Sequence, residues 1–463
     1  MLSLQSENGR LGRREFLKVG GLGLGGFALS DLLAAKAQAA TKGPPIHDKS
    51  VIFLFLHGGP TQIETFDPKM DAPAEVRSIT GEIDTAIPGI TFGGTFKKLA
   101  PLANKFSVVR SFTTGNANHD IKPIVCDASM KANIGSLYSR VAGTNHPVTG
   151  MPTNVALFPR AVDPERQPAQ EGFGKFNSTG MLGSAFAPFI PGGGGNMQRD
   201  MQLTLQRDRI DDRRSLLSGL DRLWQMFDNG SFSGMDRFKE QAFQTILGGV
   251  ANAFDLSKED PRTVARYDTA PLVTPDAISR KWNNYNFYVD NAKTLGKLML
   301  LARRLCEGGC GFVTVTTNFV WDMHADVNNA TIDEGMQYMG NPLDHALSTF
   351  IEDVAERGLS DKILLVVTGE MGRTPRINAR GGRDHWGGLA PLLLSGGGLK
   401  MGQVIGQSTK DAAIPLSEPF DNSNLISTIM HTLTDVGQVR LMQSIPADLN
   451  RLITTGSPIS GLI

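Results

Sequence analysis

Asp322 and His324 stand two residues apart, and Glu370, Asp384 and His385 follow further along the chain. Side chains two apart in extended backbone project to the same side, so Asp322 and His324 can meet a single ion. Imidazole with carboxylate suits zinc, manganese or iron, whereas an all-carboxylate pocket suits calcium or magnesium. Arg373, Arg376 and Arg383 flank the stretch from Glu370 to His385 and bring the donors that hold oxyanions. Ser111, Thr113, Thr114, Asn116, Asn118, His119 and Asp120 make a second polar run, where a hydroxyl nucleophile could sit. Glu64 and Asp67 supply further carboxylates after the first apolar run. A divalent ion among such groups lowers the pKa of a hydroxyl or water and polarises a phosphoryl or sulfuryl oxygen. The competing reading is a structural net of ion pairs, which the same residue types also build.

These groups need elements that end near one another. Residues 363–367 are five consecutive apolar residues, the pattern of a strand buried on both faces, with Glu370 just beyond its end. Residues 51–56, 106–110, 311–317 and 390–395 read as further strands, and polar clusters follow the first three directly. Apolar residues recur at helical spacing in 286–306 and 342–357, and Gly358 stops the second helix. Alternating helices and strands imply parallel crossovers and a sheet covered on both faces, which keeps its ligands at the carboxyl edge. The sequence therefore predicts a three-layer α/β/α fold with a mostly parallel central sheet. Composition changes over 150–274, where a glycine run and a charged stretch over 200–227 predict a helical insertion or cap.

The chain of 463 residues carries 46 basic and 46 acidic residues, so no global positive field recruits nucleic acid. Cys126, Cys306 and Cys310 make no disulfide framework, and the last two are expected as buried thiols. Arg13 and Arg14 precede a glycine-rich, weakly apolar stretch and an Ala-x-Ala site ending at Ala39. That pattern predicts a twin-arginine signal over 1–40 and a periplasmic or extracellular destination, with membrane attachment only if the signal stays uncleaved. Gly21, Gly23 and Gly26 fit a dinucleotide-binding spacing, but no strand precedes them. His57-Gly58-Gly59-Pro60 resembles the oxyanion loop of serine esterases, yet no Gly-x-Ser-x-Gly elbow accompanies it.

Several motifs together are similar to an exported bacterial family catalogued as domain of unknown function 1501, itself similar to the sulfatase and alkaline phosphatase superfamily. They are Gly58-Gly59-Pro60-Thr61-Gln62, Thr65-Phe66-Asp67-Pro68-Lys69, Val109-Arg110-Ser111, Trp321-Asp322-Met323-His324, Gly369-Glu370-Met371-Gly372-Arg373-Thr374-Pro375 and Gly382-Arg383-Asp384-His385-Trp386. The resemblance implies an alkaline phosphatase-like domain over 41–463 with metals at the carboxyl edge of its sheet. It implies Asp322, His324 and His385 as one metal group, with Asp384 beside them. Glu370, with Glu64 or Asp67, would complete a second position. Thr114, or else Thr113, would be the nucleophile, with Arg373 and Asn118 holding the oxyanion. The cofactor implied is a divalent metal, zinc, manganese or calcium. The substrate implied is a small anionic ester or a sulfated or phosphorylated glycan, cleaved by a metal-dependent phosphoester or sulfuric ester hydrolase. The chain departs from the superfamily pattern where the first strand ends in His57-Gly58-Gly59, where Glu370-Met371 replaces Asp-His, and in lacking Cys-x-Pro-x-Arg. Those departures leave open a single-metal site, or a catalytically silent relative that binds carbohydrate or a cell-surface partner.

Overall fold

The computed structural model describes residues 45–192 and 250–463. The expected leader over 1–40 and the charged stretch over 200–227 lie outside the described residues. Seven strands make the central sheet: β1 (Ser50–Phe55), β2 (Ser107–Val109), β3 (Asn154–Leu157), β4 (Phe312–Val315), β5 (Ile363–Thr368), β6 (Leu392–Gly396) and β7 (Val404–Ile405). Their order is β7-β2-β6-β5-β1-β4-β3, and every neighbouring pair is parallel except those that involve β6.

The apolar runs form strands because both of their faces are covered. In β1, Ile52 and Leu54 belong to one buried cluster while Val51, Phe53 and Phe55 belong to another, the alternation a pleated strand requires. The first cluster is completed by the helices α2 (Tyr285–Glu307) and α3 (Asn341–Glu356), through residues such as Leu298, Leu301, Leu347 and Phe350. The second is completed by α1 (Ile134–Ala142), α4 (Asn422–Leu433) and α5 (Ala447–Thr455), through Leu137, Ile429 and Ile453. Pro342 opens the first turn of α3, where its missing N–H is no loss, and Gly358 at φ +68 follows its end. Asp421 caps α4 by accepting from Ser423 and Asn424, whose side chain reaches back to the Asp421 N–H.

The strand expected at 390–395 forms as β6, the antiparallel member of the mostly parallel sheet, because no helix lies between it and β5 to carry the chain back across the sheet. Residues 150–274 are not wholly an insertion: Asn154–Leu157 is the edge strand of the central sheet, paired parallel with β4. Among the described residues, no helix is long and apolar enough to cross a membrane.

Candidate metal centre

Since β1, β2, β4 and β5 run parallel, the chain leaves all four at the same edge of the sheet. The turn after β1 is set by Gly58 and Gly59, at φ +115 and +87. A Cβ on Gly58 would lie 2.5 Å from the Asp322 nitrogen, so only glycine lets this turn press against the backbone beyond β4. The His57 carbonyl accepts from both Val320 and Trp321 at 3.0 Å, which fixes the backbone just ahead of Asp322. After β5 the chain makes a short antiparallel ribbon in which Arg373 pairs with His385. A Cβ on Gly382 would lie 2.2 Å from the His324 carbonyl carbon, so only glycine fits there, and the Arg383 N–H donates to the Met323 carbonyl at 2.9 Å.

These constraints gather His119, Asp322, His324 and His385, whose ligand atoms all lie within 4.8 Å of one another. His324 Nε2 is 2.8 Å from Asp322 Oδ1 and 2.6 Å from His385 Nε2. His385 Nε2 lies 3.2 Å, and His119 Nε2 3.5 Å, from the same carboxylate oxygen. Behind these atoms stand two carboxylate acceptors and one amide donor. Glu370 Oε1 is 2.9 Å from His119 Nδ1, Asp384 Oδ1 is 3.2 Å from His324 Nδ1, and Asn329 holds Asp322 Oδ2 at 3.0 Å. A carboxylate at Nδ1 fixes the tautomer that leaves a lone pair at Nε2, the usual second partner of a metal-bound imidazole.

The residues fit a divalent ion. Three imidazole nitrogens and one carboxylate oxygen are a donor set for zinc or manganese rather than for oxygen-seeking calcium. Lone pairs crowded at 2.6 Å repel unless a proton or cation is shared between them, and buried His119 Nε2 has no hydrogen-bond partner. Burial pushes the Asp322 carboxyl up, but Arg373 and then the three imidazoles outweigh it, so it is held well below the usual carboxylate range. Burial likewise lowers His119, yet Asp322 and Glu370 together raise it above its ordinary value. His385 is lowered, by burial first, against the pull of Asp322.

Other candidates lie elsewhere. Glu64 is not at the centre: it is fully buried against Arg383 at 3.0 Å and accepts from Ser78 at 2.6 Å and from the Ile79 and Thr80 backbone. Asp67 is held by Lys69 at 3.2 Å, Arg110 at 3.4 Å and the Ser408 hydroxyl, again with no ion-ready face. Arg373 meets only protein acceptors: Nε donates to the Gly59 carbonyl at 2.7 Å, and Nη2 to the Gly58 carbonyl and to Asp322 at 2.6 Å. Its Nε and Nη2 donors are spent on protein oxygens, which removes it as a hand for substrate oxyanions. Thr113 donates to the Gly387 carbonyl at 3.0 Å, while the Thr114 hydroxyl is buried with no hydrogen-bond partner. Asn118 is exposed, its backbone carbonyl bound by buried Lys122. The sequence reading left His119 outside the metal group. It sits in an aperiodic loop, and only the carboxylates it meets distinguish it. Cys306 and Cys310 are buried free thiols, and His345 bridges Lys98 and the Arg266 carbonyl.

His57 is a histidine of another kind. Its ring is surrounded by Phe55, Phe173, Phe176 and Phe319 at 5.1 to 5.9 Å between centroids, and neither ring nitrogen has a hydrogen-bond partner. Burial lowers its pKa from 6.5 to about 4. The folded pKa is the lower one, so its stabilising contribution is present above pH 6.5 and is lost as pH falls toward 4. The loss approaches about 1.4 kcal/mol per pH unit. His57→Phe is expected to flatten that acid-side decline in metal-free protein, measured as urea unfolding at pH 5 and pH 7. An equally steep decline in the variant would contradict the assignment.

A family profile described as Protein of unknown function (DUF1501) matches residues 48–462. No curated protein matches the chain significantly. Among solved structures, the PsFucS1 sulfatase from Pseudoalteromonas sp. is similar at 13% identity and TM-score 0.34, over 87% of this chain and 70% of that one. The phosphonate monoester hydrolase SpPMH from Silicibacter pomeroyi gives 11% and 0.33, over 89% and 78%. Alkaline phosphatase from the Antarctic bacterium TAB5 gives 12% and 0.29, over 84% and 98%. Likenesses of that degree carry no weight on activity, and the chemistry rests on the residues themselves.

Proposed function

The chain belongs to the DUF1501 family, and we propose that it is an exported hydrolase of phosphate or sulfate esters working with a divalent metal ion. The observation that carries this reading is the convergence of His119, Asp322, His324 and His385 on a space that one ion would fill. Such an ion, when bound, supplies Lewis acidity toward an ester oxygen and lowers the pKa of a neighbouring hydroxyl. The protein's own part is preorganisation. Glu370 and Asp384 hold His119 and His324 by their Nδ1 atoms, so that Nε2 faces inward, and Asn329 keeps Asp322 from turning.

Thr114 is the hydroxyl we assign as nucleophile. It follows β2 on the loop that carries His119, and its Oγ1 is buried and unspent, whereas Thr113 is committed to Gly387. The Arg13-Arg14 leader supports delivery to the periplasm or beyond, where small anionic esters and sulfated or phosphorylated glycans are the substrate class in view. The test is a panel of aryl phosphates, aryl sulfates and modified sugars with full-length protein loaded with zinc or manganese. Thr114→Ala is expected to lower kcat by about a thousandfold or more, with Thr113→Ala close to wild type. Full activity in Thr114→Ala removes the assigned nucleophile. A loaded protein that cleaves no ester is the silent relative instead.

A further inference from the structure

We propose that the centre is built for a single ion and that the Arg373 guanidinium stands permanently in the place of a second. This rests on the metal reading above and concerns how many ions the protein's own residues allow. A two-ion centre places its metals roughly 4 Å apart and needs carboxylates or imidazoles enough for both. Among the described residues, His119, Asp322, His324 and His385 are the one group of three or more close enough to hold an ion. The ground where a second would sit is taken. Arg373 Nη2 lies 2.6 Å from Asp322 Oδ1, the same oxygen that three imidazoles approach, and Nη1 lies 3.5 Å from His324 Nε2.

The surrounding backbone is shaped to keep the guanidinium there. Nε donates to the Gly59 carbonyl at 2.7 Å and Nη2 to the Gly58 carbonyl, so the turn after β1 offers carbonyl oxygens to an arginine instead of a carboxylate to a metal. The other carboxylate within reach is half committed: Glu370 Oε1 accepts from Gly58 N at 2.8 Å and pairs with His119, which leaves only Oε2 unpartnered. His57, in the remaining position after β1, is enclosed by phenylalanine rings. The fully buried guanidinium sets a positive charge directly beside Asp322 and resists a second cation by repulsion. The same geometry explains why it is a poor substrate hand: its donors are spent on protein oxygens.

Removing the charge uncovers a small oxygen-lined space among Asp322 Oδ1 and the Gly58 and Gly59 carbonyls, a set suited to magnesium or calcium. The experiment is metal stoichiometry by equilibrium dialysis and elemental analysis on full-length protein, with zinc alone and with zinc plus magnesium. Wild type is expected to hold one zinc and no magnesium. Arg373→Ala is expected to hold one zinc and gain one magnesium, and Arg373→Lys, which keeps the charge, to gain none. Should Arg373→Ala fail to fold, Arg373→Gln, neutral but closer in bulk, is read in its place. Two ions in wild type overturn the proposal and point to His57 with the unpartnered Glu370 Oε2 as the second ligand set. A folded neutral variant that gains no ion also overturns it. No ion at all in wild type is a different failure, that of the metal centre itself.

Discussion

Asp322→Ala is expected to abolish zinc binding and, in the metal-free protein, to lower stability by about 3–5 kcal/mol. Both effects follow from the position of one oxygen. Asp322 Oδ1 is the atom to which His119, His324 and His385 all turn, so its loss removes an anionic ligand and the anchor of three imidazoles. It is also the only carboxylate, among the described residues, that pairs with buried Arg373, and truncation strands a guanidinium that water cannot reach. Stranding a buried charge costs far more than the pair itself contributes. Asp322→Asn separates the parts, since it keeps the shape but removes the charge. Urea unfolding of metal-free protein reads the stability, and equilibrium dialysis reads the metal. An Asp322→Ala chain as stable as wild type, with zinc still bound, would contradict both assignments.

Glu64→Ala should give the opposite combination, a large loss of stability with metal stoichiometry unchanged. Glu64 and Arg383 are both wholly buried and meet at 3.0 Å, and Arg383 also donates to the Val76 carbonyl at 2.8 Å. This pair pins the segment after β1 to the loop that ends in Asp384 and His385. Burial lowers the Arg383 pKa and Glu64 opposes that, so removing Glu64 leaves an unpaired cation in a dry interior. A cost of about 3–5 kcal/mol is expected from urea unfolding. A variant of unchanged stability that binds no zinc would return Glu64 to the metal site and overturn its structural role.

Glu64 shows where sequence reading stops. A carboxylate shortly after an apolar strand looks the same whether it serves an ion or an arginine, and here its partner lies 319 residues away. His119 is the reverse case. It stands in the polar run after β2 but was left out of the metal group, because the Glu370 that orients it is 251 residues distant. Asp322 and His324 were picked out by a spacing of two, although their backbone is turned rather than extended, the His324 N–H meeting the Asp322 carbonyl at 3.1 Å. The sheet was readable for a local reason: residues 363–367 are all apolar, and the strand Ile363–Thr368 they open is buried along its whole length because both faces are covered. The direction of β6 lies in the connection before it, which holds no helix, rather than in the strand's own residues. Arg373 was read as a hand for substrate, and only the contacts of its guanidinium show it turned inward to Asp322, Gly58 and Gly59.

The most direct test is an anomalous difference map, at the zinc edge, from crystals of the full-length protein grown with zinc. One peak is expected about 2.0–2.2 Å from the Nε2 atoms of His119, His324 and His385 and from Asp322 Oδ1. No peak among these four residues, or a peak held by other ligands, would contradict it.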